Sequence, residues 1–146
     1  VNDSDSVVLE PWELQLRSWI TDHIDFEAPQ SILLLRGPMG SGKTTFAKHL
    51  LDLLRLNRGI ESTDGFQSPT YSIHNRYVID QLVVDHFDLY RLGNEDEVTS
   101  AGFWDLLESK KNWVIVEWPE MADGLWEMSF DATFKVYHLE FPLFRH

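Results

Sequence analysis

With 146 residues, 43% of them hydrophobic and 13% aromatic, the chain has the length of one domain (residues 1–146) with a substantial core, which excludes a disordered or fibrous chain. No run approaches the roughly 20 apolar residues of a membrane helix, no cationic start leads into an apolar stretch, and cysteine is absent. A soluble, cytoplasmic protein without membrane contact or disulfides is therefore expected, and its formal net charge of −12 argues against stand-alone binding of nucleic acid.

In chain order, polar and acidic residues Val1 to Ser6 read as a frayed end before a short strand at Val7, Val8 and Leu9. From Pro11, the apolar residues Trp12, Leu16, Trp19, Ile20 and Ile24 recur at helical spacing and predict an amphipathic helix with proline in its first turn. Ser31 to Arg36 holds four consecutive apolar residues and reads as a central strand covered on both faces. A second helix starts near Lys43, buries Phe46, Leu50, Leu53 and Leu54, and ends before Gly59.

Residues Asn57 to Gln67 are rich in turn-forming types and read as a loop, followed by Ser68-Pro69-Thr70-Tyr71. Tyr71 to Phe87 reads as a hairpin turning near Asp80, and Asn94 to Glu108 as two short helices broken at Gly102. Trp113 to Val116 is another buried strand, delivering Glu117 and Trp118 to its end before Pro119 stops it. Thr133 to Phe141 alternates as a last strand, and there is no internal repeat or low-complexity segment. The expected fold is α/β: one P-loop domain with a central, mostly parallel sheet, antiparallel additions and helices on both faces.

Gly37-Pro38-Met39-Gly40-Ser41-Gly42-Lys43-Thr44-Thr45 lies between the first apolar strand and the second helix. That order suits a phosphate-binding loop, in which glycines let successive N–H groups turn inward and the helix N-terminus faces the anion. Lys43 is placed for the β- and γ-phosphates of a nucleotide, and the Thr44 hydroxyl for magnesium.

Acidic or hydroxyl residues at strand ends are the natural second half of such a site. Thr70, Asp88 and Glu117 hold such places, and a carboxylate after an apolar strand can hold magnesium or orient water. From position alone Glu117 is equally readable as a solvated residue or cap. Asp88 has the same alternatives, with Asp85 read as the solvated one of the two. His86 is readable as a hydrogen-bonded structural histidine.

These motifs, with His86-Phe87-Asp88-Leu89-Tyr90-Arg91 and Val116-Glu117-Trp118-Pro119 in the same order and at similar intervals, resemble the TsaE (formerly YjeE) family over roughly residues 7–141. Its members are small bacterial ATPases needed to make threonylcarbamoyladenosine in tRNA. The resemblance implies ATP and ADP as ligands, magnesium at Thr44 and Asp88, and the Walker B role at Glu117. It also implies Thr70 on a switch-like loop facing the γ-phosphate, Trp118 on the nucleotide-proximal wall, and the proteins TsaD and TsaB as partners, with tRNA met only indirectly. The loop from Asn57 to Gln67 is longer and more polar than the family suggests. The region after Asp123 carries no recognised motif, and Trp126 and Met128 there read as packing residues.

The reading is thus a magnesium-dependent ATPase with Lys43, Asp88 and Glu117 as catalytic candidates. Its rivals are a small-molecule kinase, disfavoured because only Arg76 and Arg91 lie between Gly59 and the last strand, and a nucleotide-gated interaction module with little turnover.

Overall fold

The helical spacing at the N-terminus is realised as α1, Pro11–His23, with proline at its start and the Glu13 carboxylate accepting from the Glu10 N–H at 3.3 Å. The computed structural model describes residues 8–60, 74–90, 112–122 and 134–144. The strand expected at Val7 to Leu9 is not formed where it is described. Val8 is 87% exposed and has no regular structure, and Glu10 already serves as the helix N-cap, which leaves little length for a strand before α1.

Strand β1 spans Ser31–Arg36 and helix α2 spans Lys43–Asn57, as the apolar pattern predicts. The hairpin consists of β2, His74–Ile79, and β3, Leu82–Asp88, joined through Asp80, which takes a left-handed φ of 56°. Strand β4, Asn112–Glu117, runs into a 3₁₀ turn at Pro119–Ala122, and β5 spans Lys135–Glu140. The expected helices between Asn94 and Glu108, along with Thr70, Arg91, Trp126 and Met128, lie outside the described residues.

The five strands form one mixed sheet in the order β2-β3-β4-β1-β5, with only the β2–β3 pair antiparallel. Alternation sends Leu33, Leu35, Trp113, Ile115, Val84 and Leu139 to one face, where they join Leu16 and Ile20 of α1 and Phe46, Leu50 and Leu54 of α2. Both described helices therefore lie on this face. The other face carries Ile32, Leu34, Val114 and Val116, all at zero exposure. A strand buried on both sides has to be apolar at every position, which is why β1 and β4 read as continuous apolar runs.

Candidate nucleotide site

The loop from Gly37 to Gly42 connects the end of β1 to the start of α2 and turns with very little room. A Cβ on Gly37 would lie 2.6 Å from the Phe141 carbonyl oxygen and 2.8 Å from the Phe141 Cβ, so the close approach of loop and C-terminal segment requires glycine there. Gly42 is the α2 N-cap at φ 104°, a conformation strained for any residue with a side chain, and its carbonyl accepts from the Phe46 N–H at 2.9 Å. The first N–H groups of α2 consequently open toward the loop, where an anion can take them. Met39 projects from the tip and is 70% exposed.

Three parallel strands bring their carboxyl ends level beside this loop. Leu35 of β1 pairs with Glu117 of β4, and Glu117 pairs with Asp88 of β3. The ladder thus places both acids next to the point where β1 gives way to Gly37. A cavity of about 480 Å³ opens there, lined by Met39, Gly40, Gly42, Lys43, Thr44, Thr45, Asp88, Tyr90, Glu117 and Trp118.

Within it, Lys43 is almost wholly buried, donates to the Gly37 carbonyl, and lies 3.5 Å from the centroid of the Trp118 ring. Burial lowers the lysine's pKa, opposed by the charges of Glu117, Glu120 and Asp88. Trp118 takes a left-handed φ of 62°, a conformation costing about 1–3 kcal/mol for a residue of its kind, at the exit of β4. Tyr90 packs beside it with ring centroids 4.9 Å apart.

Thr44 donates its hydroxyl hydrogen to Glu117 Oε1 at 2.9 Å, and the other oxygen, Oε2, accepts from His86 Nε2 at 2.6 Å. Asp88 accepts from the Tyr90 N–H at 3.0 Å. Burial raises the Asp88 pKa; the Tyr90 hydrogen bond opposes this, and the neighbouring Glu117 charge adds to it. Two carboxylates that repel each other beside a threonine hydroxyl are a donor set for a hard divalent cation. Among the described residues no group of three His, Cys, Asp or Glu side chains could hold a metal unaided.

A second cavity, about 340 Å³, lies on the other flank of the loop. Trp12 and Leu16 of α1 form one wall and Phe141 to Phe144 the other, with Ser41, Gly42 and Thr45 at the floor. Trp12 is 47% exposed, so an aromatic face is open to this space. The Ser41 hydroxyl is buried without a hydrogen-bond partner among the described residues. An apolar slot with an aromatic wall, adjoining the glycine-rich loop, has the chemistry for a heteroaromatic base.

The structure thus brings Gly40, Gly42, Lys43, Thr44, Thr45, Asp88, Glu117 and Trp118 around one cavity, and Ser41 onto its neighbour; Gly37 and Pro38 build the turn without lining either. Thr70 lies outside the described residues. Asp85 corrects the sequence reading: it is wholly buried, and accepts from His74 at 2.6 Å, Arg76 at 2.9 Å and Asn112 at 3.2 Å on the opposite face of the sheet. The same contacts commit Arg76 to Asp85 and keep it away from the cavity around Lys43. Sequence reasoning also missed the second cavity. In the sequence Trp12 falls on the apolar stripe of the helical pattern, and Phe141 to Phe144 form no motif.

The chain matches the family described as "Threonylcarbamoyl adenosine biosynthesis protein TsaE" over residues 14–141. It is similar to the "tRNA threonylcarbamoyladenosine biosynthesis protein TsaE" of Borreliella burgdorferi, 37% identical over 107 residues that make up 72% of this chain and 73% of that one. Proteins of the same name from Nostoc sp. and Haemophilus influenzae are 34% and 32% identical, over 62% and 64% of this chain. The matched part spans 53% and 55% of those two proteins, about half their length. Among solved structures, "Crystal structure of Bacillus subtilus YdiB" aligns with a TM-score of 0.46 at 25% identity, covering 78% of this chain and 63% of that one.

Proposed function

This chain belongs to the TsaE family, and from that premise we propose that it is a magnesium-dependent ATPase serving the threonylcarbamoyladenosine modification of tRNA with TsaD and TsaB. The observation that carries the reading is the meeting of Lys43, Thr44, Glu117 and Asp88 on one cavity at the carboxyl end of a parallel sheet.

In this reading the phosphates of ATP lie against the loop N–H groups and the first turn of α2, and the base enters the slot between Trp12 and Phe144. Lys43 exchanges the Trp118 ring and the Gly37 carbonyl for the β- and γ-phosphates. Thr44 and Asp88 would hold magnesium directly, with Glu117 acting through the Thr44 hydroxyl, and the ion would supply neutralising charge to the phosphate oxygens. Hydrolysis follows by in-line attack of water on the γ-phosphate. Lys43 and the backbone donors stabilise the developing charge, and the carboxylates at the strand ends orient the water.

Calorimetry with ATP and ADP, with and without magnesium, together with phosphate release, tests the reading. Micromolar or tighter binding, slow phosphate release and loss of binding in Lys43→Ala are expected. Unchanged affinity in that variant rejects the phosphate-loop assignment, and a phosphorylated metabolite in place of free phosphate favours a kinase. Association with TsaD and TsaB that depends on the nucleotide is the test of the pathway.

A further inference from the structure

Histidine 86 sits at zero exposure in the middle of β3, beside Asn75 of β2 and Ile115 of β4. Strand alternation gives its neighbours Asp85 and Phe87 to one face and leaves His86 on the other, with Asp88 and Glu117. Its Nε2 lies 2.6 Å from Glu117 Oε2, the length of a charge-assisted hydrogen bond, and since a carboxylate only accepts, the histidine donates. Glu117, itself 3% exposed, receives the Thr44 hydroxyl hydrogen on its remaining oxygen. The carboxylate is thereby held at both ends, and rotating its plane breaks both bonds together.

We propose that His86 is the positioning residue of this site, fixing the Glu117 carboxylate in the one orientation that takes the Thr44 hydrogen and leaves that hydroxyl's lone pairs for magnesium. The inference rests on the ATP–magnesium reading above and gives Glu117 a definite place in it: the acid acts on the metal through Thr44. Without the histidine, Glu117 keeps a single tether and Thr44 loses a fixed acceptor, so metal placement suffers while the loop's backbone donors do not. A partner that only orients a ligand typically changes metal affinity or activity by about 10–100-fold when removed.

The experiment compares wild type, His86→Leu, His86→Gln and His86→Asn by calorimetry with ADP in the absence of metal, with ATP plus and minus magnesium, and by phosphate release. Glutamine carries an amide nitrogen near the place of Nε2; asparagine does not reach it. Expected are metal-free ADP affinity within about twofold of wild type in the leucine variant, a loss of at least about tenfold in the magnesium-dependent gain in ATP affinity, and a similar fall in kcat. Recovery of most of both losses in His86→Gln, but not in His86→Asn, is also expected, and that order is read even if the leucine variant fails to fold. A magnesium gain in His86→Leu within twofold of wild type, or equal behaviour of the glutamine and asparagine variants, overturns the inference and leaves the ATPase reading standing. Absence of any magnesium gain in the wild type overturns both.

Discussion

Asp88 and Glu117 end neighbouring strands in register, so the fold holds two negative charges side by side in a partly buried cavity. The raised pKa of Asp88 fixes the sign of the consequence. As pH falls, the folded chain takes up this proton before the unfolded one, so the penalty is full at neutral pH and disappears as pH falls through the raised value. Asp88→Asn, which keeps an oxygen for the Tyr90 N–H, is expected to raise the stability of the nucleotide-free protein by on the order of 1 kcal/mol, seen as a higher Tm, while abolishing hydrolysis. A lower Tm in that variant, or wild-type turnover, removes Asp88 from the role. At this scale the meeting of Lys43 and Thr44 at one cavity was legible, because the glycine spacing and the following helix put both at the end of the loop. The burial of Asp85 was not, although parity offered a signal: Val84, His86 and Asp88 share one face, and Asp85 belongs to the other.

Between α1 and α2 the apolar spacing foretold a packed interface, but its polar half was hidden. His49 is 2% exposed; its Nδ1 accepts from Arg17 Nε at 3.0 Å, so Nε2 carries the hydrogen given to Glu13 at 2.9 Å. Arg17 also reaches Asp52 at 3.3 Å, and Arg55 approaches the same carboxylate at 3.5 Å. No single segment encodes such a set, because its members come from two helices and meet only after folding. Burial and the Arg17 charge lower the His49 pKa, with Glu13 and Asp52 pulling the other way. The unfolded chain then binds this proton first, so stability is full above about pH 6.5 and declines as pH falls below it. Urea unfolding midpoints measured from pH 7.5 to 5 are expected to fall, and His49→Gln to flatten that slope; an equal slope in the variant assigns the acid sensitivity elsewhere. The strands were read more nearly to their ends, since Ser31 to Arg36 and Trp113 to Val116 are apolar runs too short for helices and bounded by turn residues.

Across the whole molecule, 24 acidic residues outnumber 12 basic ones, and several of the basic groups are already engaged. Arg17 and Arg55 approach Asp52, Arg76 holds Asp85, Lys135 lies 3.6 Å from Asp25, and Lys43 sits inside the cavity. Counterion release, the main source of non-specific affinity for nucleic acid, has little to draw on. Labelled tRNA titrated with the protein alone at about 150 mM salt is therefore expected to show no micromolar binding, with or without ATP. Salt-sensitive micromolar binding would refute a role through protein contacts only. The strand order has a further consequence, in time. β1 runs into the glycine-rich loop, yet its two neighbours, β4 and β5, are the last of the described strands, and Phe141 closes against Gly37 only after both. On the ribosome, the run Ile32 to Leu35 thus waits with both edges open while the intervening chain is made, and among the described strands the β2–β3 hairpin alone can pair locally. Such long-range closure predicts slow folding and a sticky nascent chain, and it makes the glycine-rich loop, which precedes four of the five described strands, among the last of the described parts to take its final shape.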